Sequence, residues 1–177
     1  MTGNLAETLL ARRPFCPGRR GDGTLLADYF DGHRVLGEPR LLAALADELY
    51  LAVARTDADL VVGEVAAGAQ LATAVALASV RHDRVLESRG IRRVRKEYGV
   101  PGLLTSPAPG ASCVAVVDDV AGTGAAGLRC VDAVREAGHE VVGVFVVLDR
   151  CQGAAEALAR DGVTLTSVFR LDDLVPS

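Results

Sequence analysis

The feature that most constrains the fold is an alternation of apolar strands and helical segments that begins at Asp57. The apolar segments "DLVVG", "CVAVVDD", "EVVGVFVVLDR" and "VTLTSVF" are rich in valine, and "IRRVRKE" is a less regular fifth strand. Between them stand the helical segments "GAQLATAVALASVR", residues 124–137 and "GAAEALAR". Near-continuous apolar strands separated by helices are typical of parallel sheets that are buried on both faces. The sequence therefore predicts an α/β fold with a mostly parallel sheet flanked by helices.

The first 56 residues have a different pattern and are predicted to form a small N-terminal hood. Apolar residues at helical spacing predict helices over Asn4–Arg12 and Glu38–Arg55. "RRPFCPGRRGDG" is expected to be a loop, and "TLLADYFDGHRVLGEP" one or two short strands around an Asp31-Gly32 turn. "VPGLLTSPAPGAS" is expected to be turn-rich and "LDDLVPS" a short tail. With no internal repeat or linker, we expect one domain over residues 1–177, with a hood at 1–56 and a core at 57–170.

Composition excludes several classes of protein. The net charge of −4 argues against general nucleic-acid binding, which normally requires a basic surface. No segment approaches the ~18 apolar residues of a membrane span, and the N-terminus lacks the apolar stretch of a secretory leader. The four cysteines have no metal-binding or disulfide spacing. We therefore expect a cytoplasmic protein without a membrane, nucleic-acid or protein-held metal partner.

Two adjacent acids, Asp118 and Asp119, end the predicted strand "CVAVVDD" and are followed by "VAGTGAAG" and a helix. Small residues allow backbone amides to approach a ligand closely, and a helix N-terminus attracts anions. Carboxylates repel phosphate, so the acids are expected to face hydroxyls or a metal. A sugar phosphate satisfies both halves of this motif. The alternative is an ordinary turn with Asp119 as a helix cap or exposed acid. Walker and dinucleotide glycine motifs are absent.

The segment "VAVVDDVAGTGAAG" resembles the phosphoribosyl-pyrophosphate signature of type I phosphoribosyltransferases. Three further segments are similar to this family and occur in its order. "DLVVGEVAAGAQLATAVALAS" resembles the pyrophosphate-loop segment, "VRKEYG" the start of the mobile loop of orotate phosphoribosyltransferases, and "VVLDR" the strand that ends in an arginine beside the base. The resemblance covers residues 57–150 and implies the type I phosphoribosyltransferase fold.

The resemblance also implies a role for each matching residue. Asp118 and Asp119 would hold the ribose hydroxyls, Arg95 and Lys96 would neutralise the leaving pyrophosphate, and Arg150 would lie beside the base. Arg95, Lys96 and Asp119 are thus the predicted catalytic residues. The predicted ribose-phosphate segment is Asp118, Asp119, Val120, Ala121, Gly122, Thr123, Gly124 and Ala125, and the predicted pyrophosphate loop is Gly63, Glu64, Ala67 and Gly68. Mg²⁺ would be held mainly by the substrate.

The implied reaction transfers the phosphoribosyl group of 5-phosphoribosyl 1-pyrophosphate (PRPP) to a nitrogenous base, with orotate favoured, in a homodimer. Several departures leave alternatives open. "RKEYG" lacks a further Lys/His pair, Leu26 stands where the family has a lysine, and Ala66-Ala67 replace a possible loop lysine. A transferase for another base, or a non-catalytic regulator of the same fold, are the alternatives. The basic run "RGIRRVRK" is expected to be a solvated strand edge or a cluster that faces pyrophosphate or a second subunit.

Overall fold

The computed structural model describes residues 2–19, 23–82, 84–108, 110 and 112–174. A two-stranded hairpin, β1 and β2, precedes a central six-stranded sheet. The strands are β1 Phe15–Arg19, β2 Leu25–Phe30, β3 Leu60–Glu64, β4 Glu87–Lys96, β5 Gly102–Leu104, β6 Cys113–Ala121, β7 Glu140–Asp149 and β8 Leu165–Arg170. The helices are α1 Thr2–Ala11, α2 Gly32–Leu36, α3 Pro39–Val53, α4 Ala67–Ser79, α5 Ala125–Glu136, α6 Ala154–Arg160 and α7 Leu171–Leu174.

The central sheet has the order β5-β4-β3-β6-β7-β8, and every pairing is parallel except that of β5 with β4. The chain first adds β4 on one side of β3 and later adds β6 on the other. The strand order therefore reverses between β3 and β6, and parallel sheets bind ligands beyond the strand ends at such a point. This architecture confirms the predicted α/β fold with a mostly parallel sheet.

Apolar side chains on the two faces of the sheet form two separate clusters. In β6, Ala115 and Val117 face one cluster, while Val114 and Val116 face the other, as the two-residue period of a strand requires. The first cluster includes buried leucines of α3 and α4, such as Leu45 and Leu71. The second is completed by α5 and α6. Helix α3, which the sequence assigns to the hood portion, thus contributes directly to the main core.

Four local predictions differ from the structure. The segment after Asp31 is the helix α2 rather than a strand, because the Asp31 carboxylate accepts a hydrogen bond from the His33 amide and caps the helix. The predicted loop "RRPFCPGRRGDG" contains β1, and the turn-rich segment contains β5. Both are short strands that depend on pairing with β2 and β4. The predicted tail begins with α7.

None of the helices in the described residues combines the length and the apolar character needed to cross a membrane. The three longest helices, α3, α4 and α5, have 15, 13 and 12 residues, and all three pack against the central sheet.

Gly63 and Gly68 bring the end of β3 and the start of α4 into backbone contact. A Cβ atom at Gly63 would lie 2.1 Å from the carbonyl oxygen of Gly68. Gly63→Ala is therefore expected to lower the free energy of unfolding by about 1–3 kcal/mol, the usual cost of overpacking, as measured by urea denaturation.

Gly127→Ala is the matched control, because a Cβ there would have ordinary contacts of 3.6 Å with Leu158 and Val144. This control lies within α5, where alanine is the better helix former, so its stability should equal or exceed that of the wild type. Equal midpoints for Gly63→Ala and the wild type would contradict the proposed backbone constraint.

Candidate active site

A cleft of about 430 Å³ opens beyond the ends of β3 and β6, where the strand order reverses. Three parts of the chain line it: the turn after β3, the segment from the end of β6 into α5, and the start of α2 above them. Arginines from β4 and α5 complete the walls. The lining residues are Tyr29, Asp31, Gly32, His33, Glu64, Val65, Ala66, Ala67, Arg93, residues 118–127, Arg129, Val144, Val146 and Leu158.

The two predicted ribose-binding acids lie inside β6, which continues two residues beyond them to Ala121 instead of ending at Asp119 as predicted. Asp118 pairs with Val146 of β7, and the Asp119 amide donates a hydrogen bond to Asp118 Oδ1 at 3.0 Å. Burial raises the pKa of Asp118 well above the usual carboxyl range, and the adjacent Asp119 carboxylate raises it further. Burial also raises the pKa of Asp119. The carboxyl groups are thus poorly solvated and suited to accept hydrogen bonds from a ligand's hydroxyls.

Two helix N-termini meet in this cleft without side-chain caps. Helix α5 follows Gly124, which has a left-handed φ of +88°, and no side chain accepts a hydrogen bond from its first turn. Helix α4 follows Ala66 and is likewise uncapped by a side chain. The first-turn amides and the positive end of each helix attract anions. The cleft therefore offers two places for anionic groups in addition to the half-buried acids.

Glu64 is a buried carboxylate at the end of β3, in contact with two arginines. Arg93 Nε donates to Glu64 Oε2 at 3.0 Å, and Arg129 Nη2 lies 3.4 Å from both carboxylate oxygens. Arg129 Nη1 also donates to the carbonyl oxygen of Ala125 in the first turn of α5, at 3.1 Å. We name these three side chains the Glu64 clamp. It links the turn before α4 to the turn that begins α5.

The hood contacts the acids through Gly32 at the start of α2. A Cβ atom at this position would lie 1.7 Å from Asp119 Oδ2, so a larger residue would displace the carboxylate. His33 lines the same wall of the cleft. The hood thus lies directly over the predicted ribose site.

The structure brings together most, but not all, of the predicted site residues. Glu64, Ala67 and the whole segment 118–125 line the cleft, and Gly63 and Gly68 touch each other directly behind its floor. Arg95 and Lys96 lie outside this cleft: Arg95 forms an ion pair with Glu136, and the Lys96 Nζ lies 4.6 Å from the centre of the Tyr98 ring. Their catalytic role stays a prediction.

Arg150 is buried at the end of β7 and joins the core to the hood hairpin. Its Nη1 donates to the Asp28 carbonyl oxygen at 2.8 Å, and its Nη2 contacts the Asp28 carboxylate at 2.5 Å. Its Nε is buried without a hydrogen-bond partner in the part of the chain that the structure describes. Arg150 does not line the cleft, so its role beside a base also stays a prediction.

Several residues that line the cleft were not predicted as site residues, among them Arg93, Arg129, Gly32 and His33. Arg93 lies within the basic run "RGIRRVRK", where strand alternation puts it on the same face as Ile91. Arg129 lies one helical turn after Ala125, where α5 begins. The predicted start of this helix could therefore have indicated that Arg129 lies near the cleft. The contact of Gly32 with Asp119 joins segments that are distant in sequence, and no local pattern indicates it.

The described residues contain no group of three or more His, Cys, Asp or Glu side chains arranged to hold a metal ion. Asp118 and Asp119 are oxygen donors of the kind Mg²⁺ prefers, but a pair of adjacent carboxylates does not form a six-coordinate site. The described residues therefore fit a magnesium ion only if a bound substrate and water supply most of its ligands.

Asp118→Asn is expected to raise stability at neutral pH. A raised native pKa means that the folded chain binds this proton more tightly than the unfolded chain, so stability falls as pH rises through the raised pKa. Asparagine does not ionise, so it avoids this loss of stability, and its side-chain oxygen can still accept the hydrogen bond from the Asp119 amide. The melting temperature of Asp118→Asn should exceed that of the wild type at pH 7, and the difference should shrink towards pH 3, where both side chains are neutral.

Asp132→Asn, on the exposed face of α5, serves as the control and should leave the pH dependence of melting unchanged. A melting temperature of Asp118→Asn below the wild type at pH 7 would show that the buried charge is compensated in the folded state.

The chain is similar to proteins named orotate phosphoribosyltransferase. It is 40% identical over 147 residues to that of Methanopyrus kandleri, a match covering 82% of this chain and 75% of the relative. It is 30% identical over 180 residues to that of Methanospirillum hungatei, covering 99% of this chain and 98% of the relative. No family model matches the chain.

Solved structures give the same family. The Mycobacterium tuberculosis orotate phosphoribosyltransferase in complex with Fe(III) dicitrate matches with a TM-score of 0.82 at 32% identity, over 98% of both chains. The same enzyme in complex with PRPP matches with a TM-score of 0.78 at 30% identity, over 98% of this chain and 91% of that one. Adenine phosphoribosyltransferase from Leishmania tarentolae, at 18% identity and a TM-score of 0.68, shares the fold. The chain belongs to the orotate phosphoribosyltransferase family, a group of type I phosphoribosyltransferases that are pentosyltransferases.

Proposed function

We propose that this chain transfers the phosphoribosyl group of PRPP to orotate and releases orotidine 5′-phosphate and pyrophosphate. The observation that carries the proposal is the cleft itself, which is lined by a half-buried acid pair and by two helix N-termini without side-chain caps. PRPP has a matching arrangement, with a diol between a phosphate and a diphosphate. The names of the relatives support orotate as the acceptor. We place this reaction in the cytoplasm.

Each part of PRPP has a matching group in the cleft. The 5′-phosphate binds at the start of α5, where Thr123 and the amides of Gly124 and Ala125 are its donors. The ribose hydroxyls donate to Asp118 and Asp119. The diphosphate binds at the turn before α4. Mg²⁺, held mainly by substrate oxygens, neutralises part of the diphosphate charge when it is bound.

In the proposed reaction, the bond between the anomeric carbon and the diphosphate oxygen breaks, and a bond from that carbon to a base nitrogen forms. Positive charge develops on the sugar while negative charge grows on the diphosphate. Two features of the chain suit this charge separation. The carboxyl groups of Asp118 and Asp119 lie on the ribose side, and the uncapped α4 N-terminus lies on the diphosphate side. The hood over Asp119 keeps water away from the reacting carbon.

Arg150 is proposed to bind the base under the hood. Its unpartnered Nε is a buried donor, and a guanidinium suits the carbonyl and carboxylate oxygens of orotate. The Asp28 carboxylate already occupies its Nη2, however. This contact favours a second candidate function, in which the acceptor is a different base that lacks a carboxylate.

Arg95 and Lys96 are proposed to act on the active site of a second subunit in a homodimer. Both lie near the end of β4 and point away from the cleft of their own chain, where Arg95 contacts Glu136 and Lys96 contacts Tyr98. Tyr98 is 77% exposed and Val94, on the same strand end, is 79% exposed. Such apolar exposure is commonly covered by a partner.

The activity is tested by incubating the purified chain with PRPP, Mg²⁺ and a panel of bases and measuring released pyrophosphate. Orotate should be the base consumed, and Asp119→Asn should weaken PRPP binding about tenfold or more through loss of charged hydrogen bonds. Turnover with a different base would support the second candidate function, in which the acceptor is a base without a carboxylate. Binding of PRPP without turnover on any base would instead identify a non-catalytic regulator.

The proposed dimer is tested by mixing two impaired variants, Lys96→Ala and Asp119→Asn. If Lys96 acts in the partner's cleft, a hybrid dimer contains one intact site. Random mixing of equal amounts should then restore about one quarter of wild-type activity, since half of the dimers are hybrids with one of two sites intact. Activity no greater than the mean of the two separate variants would show that Lys96 does not act across the interface.

A further inference from the structure

The Glu64 clamp lies in the half of the cleft where the proposed function places the diphosphate. That group carries more negative charge than the 5′-phosphate, and it must bind near the carboxyl groups of Asp118 and Asp119. The turn from Glu64 to Ala67 provides backbone amides but no cationic side chain. Among the described residues that line the cleft, the arginines are Arg93 and Arg129, and no lysine is present.

The charges of the clamp do not cancel. One carboxylate, with only 8% of its side chain exposed, contacts two guanidinium groups whose side chains are 70% and 57% exposed. A single arginine would neutralise Glu64, so the second leaves one net positive charge. The carboxylate is turned inward and the guanidinium groups outward. Within the lining of the cleft, the two arginines are therefore far more accessible to a ligand than the carboxylate between them.

The donors of the two arginines are only partly used. Arg93 binds Glu64 through Nε, and its Nη1 and Nη2 have no protein partner among the described residues. Arg129 is fixed from two sides, by the Ala125 carbonyl oxygen and by Glu64, and it lies between the two helix N-termini. An arginine held through one part of its fork keeps its remaining donors oriented for an anion, which lowers the entropy lost on binding.

We propose that Arg93 and Arg129 bind the diphosphate of PRPP, and that Glu64 is a positioning residue that holds both guanidinium groups. This inference rests on the proposed function for the identity of the ligand. A carboxylate by itself would repel a diphosphate. The proposal explains the presence of Glu64 in this site by its contacts with the two arginines. It also places two cations for the diphosphate on the chain that binds the ribose, in addition to the Arg95 and Lys96 proposed to come from a second subunit.

The test measures the dissociation constants of two probes by calorimetry: inorganic pyrophosphate with Mg²⁺, and ribose 5-phosphate. Arg93→Gln and Arg129→Gln should each weaken pyrophosphate binding about tenfold, the effect of losing a charge-assisted hydrogen bond. Ribose 5-phosphate binding should change by less than about twofold, because its donors lie on the α5 loop. Arg135→Gln, which removes a guanidinium from the far end of α5, is the control and should leave both constants unchanged.

The Glu64→Gln variant distinguishes a positioning role of Glu64 from simple charge repulsion, because the two roles predict opposite changes in pyrophosphate affinity. Removal of a negative charge would tighten pyrophosphate binding if Glu64 acted only through its field. Loss of the clamp instead predicts binding weaker by about 3–10-fold, because the guanidinium groups lose the charged acceptor that orients them. The melting temperature is recorded in parallel, so that weaker binding is scored only for a folded variant.

Unchanged pyrophosphate binding in both arginine variants, or an equal loss for both probes, would overturn the diphosphate role. Tighter pyrophosphate binding by Glu64→Gln would overturn the positioning role. These binding measurements do not require turnover. A wild-type chain that binds pyrophosphate through Arg93 and Arg129 but transfers no phosphoribosyl group to any base would therefore refute the proposed reaction and leave this inference intact.

Discussion

The parallel pairing of β3 with β6 is the constraint on which the active site depends. Three register pairs, Leu60 with Val114, Val61 with Ala115 and Val62 with Val116, fix the ends of the two strands next to each other. Each strand is followed by a helix, so the pairing also fixes the separation of two positive helix ends. The buried acids lie on one of these strands and Glu64 ends the other. A shift of the register would alter all of these distances together.

In the cleft, the negative charges lie deeper than the positive charges. Its carboxyl groups are half-buried or buried, whereas its arginines project into the opening. Burial raises the pKa of both aspartates. Glu64 is masked by its two arginines. An acidic chain with a net charge of −4 thus places two exposed guanidinium groups at the opening of the cleft, where an anionic substrate can reach them.

Much of this arrangement could be predicted from the sequence. The remainder depends on contacts between segments that are distant in the chain, which local sequence patterns do not indicate. The Val-rich runs predicted the parallel sheet because burial on both faces leaves an unmistakable composition. The segment from Asp118 to Ala125 was predicted because all of its features are contiguous. β1 and β5 were not, since short strands with Gly and Pro acquire their conformation from a partner strand. The Glu64 clamp joins positions 64, 93 and 129, so it becomes visible only when β3, β4 and α5 are assembled.

The hood is attached to the core at two points that belong to different parts of the proposed site. Gly32 rests against Asp119, and Asp28 of the hairpin is bound by Arg150. In the proposed site, a sugar that displaced Asp119 would press on α2, and a base that competed for Arg150 would loosen β2. Since α2 directly follows β2 in the chain, neither event leaves the other contact unaffected. The five residues from Asp28 to Gly32 thus connect the ribose half of the proposed site to its base half, so that occupation of one half would change the affinity of the other.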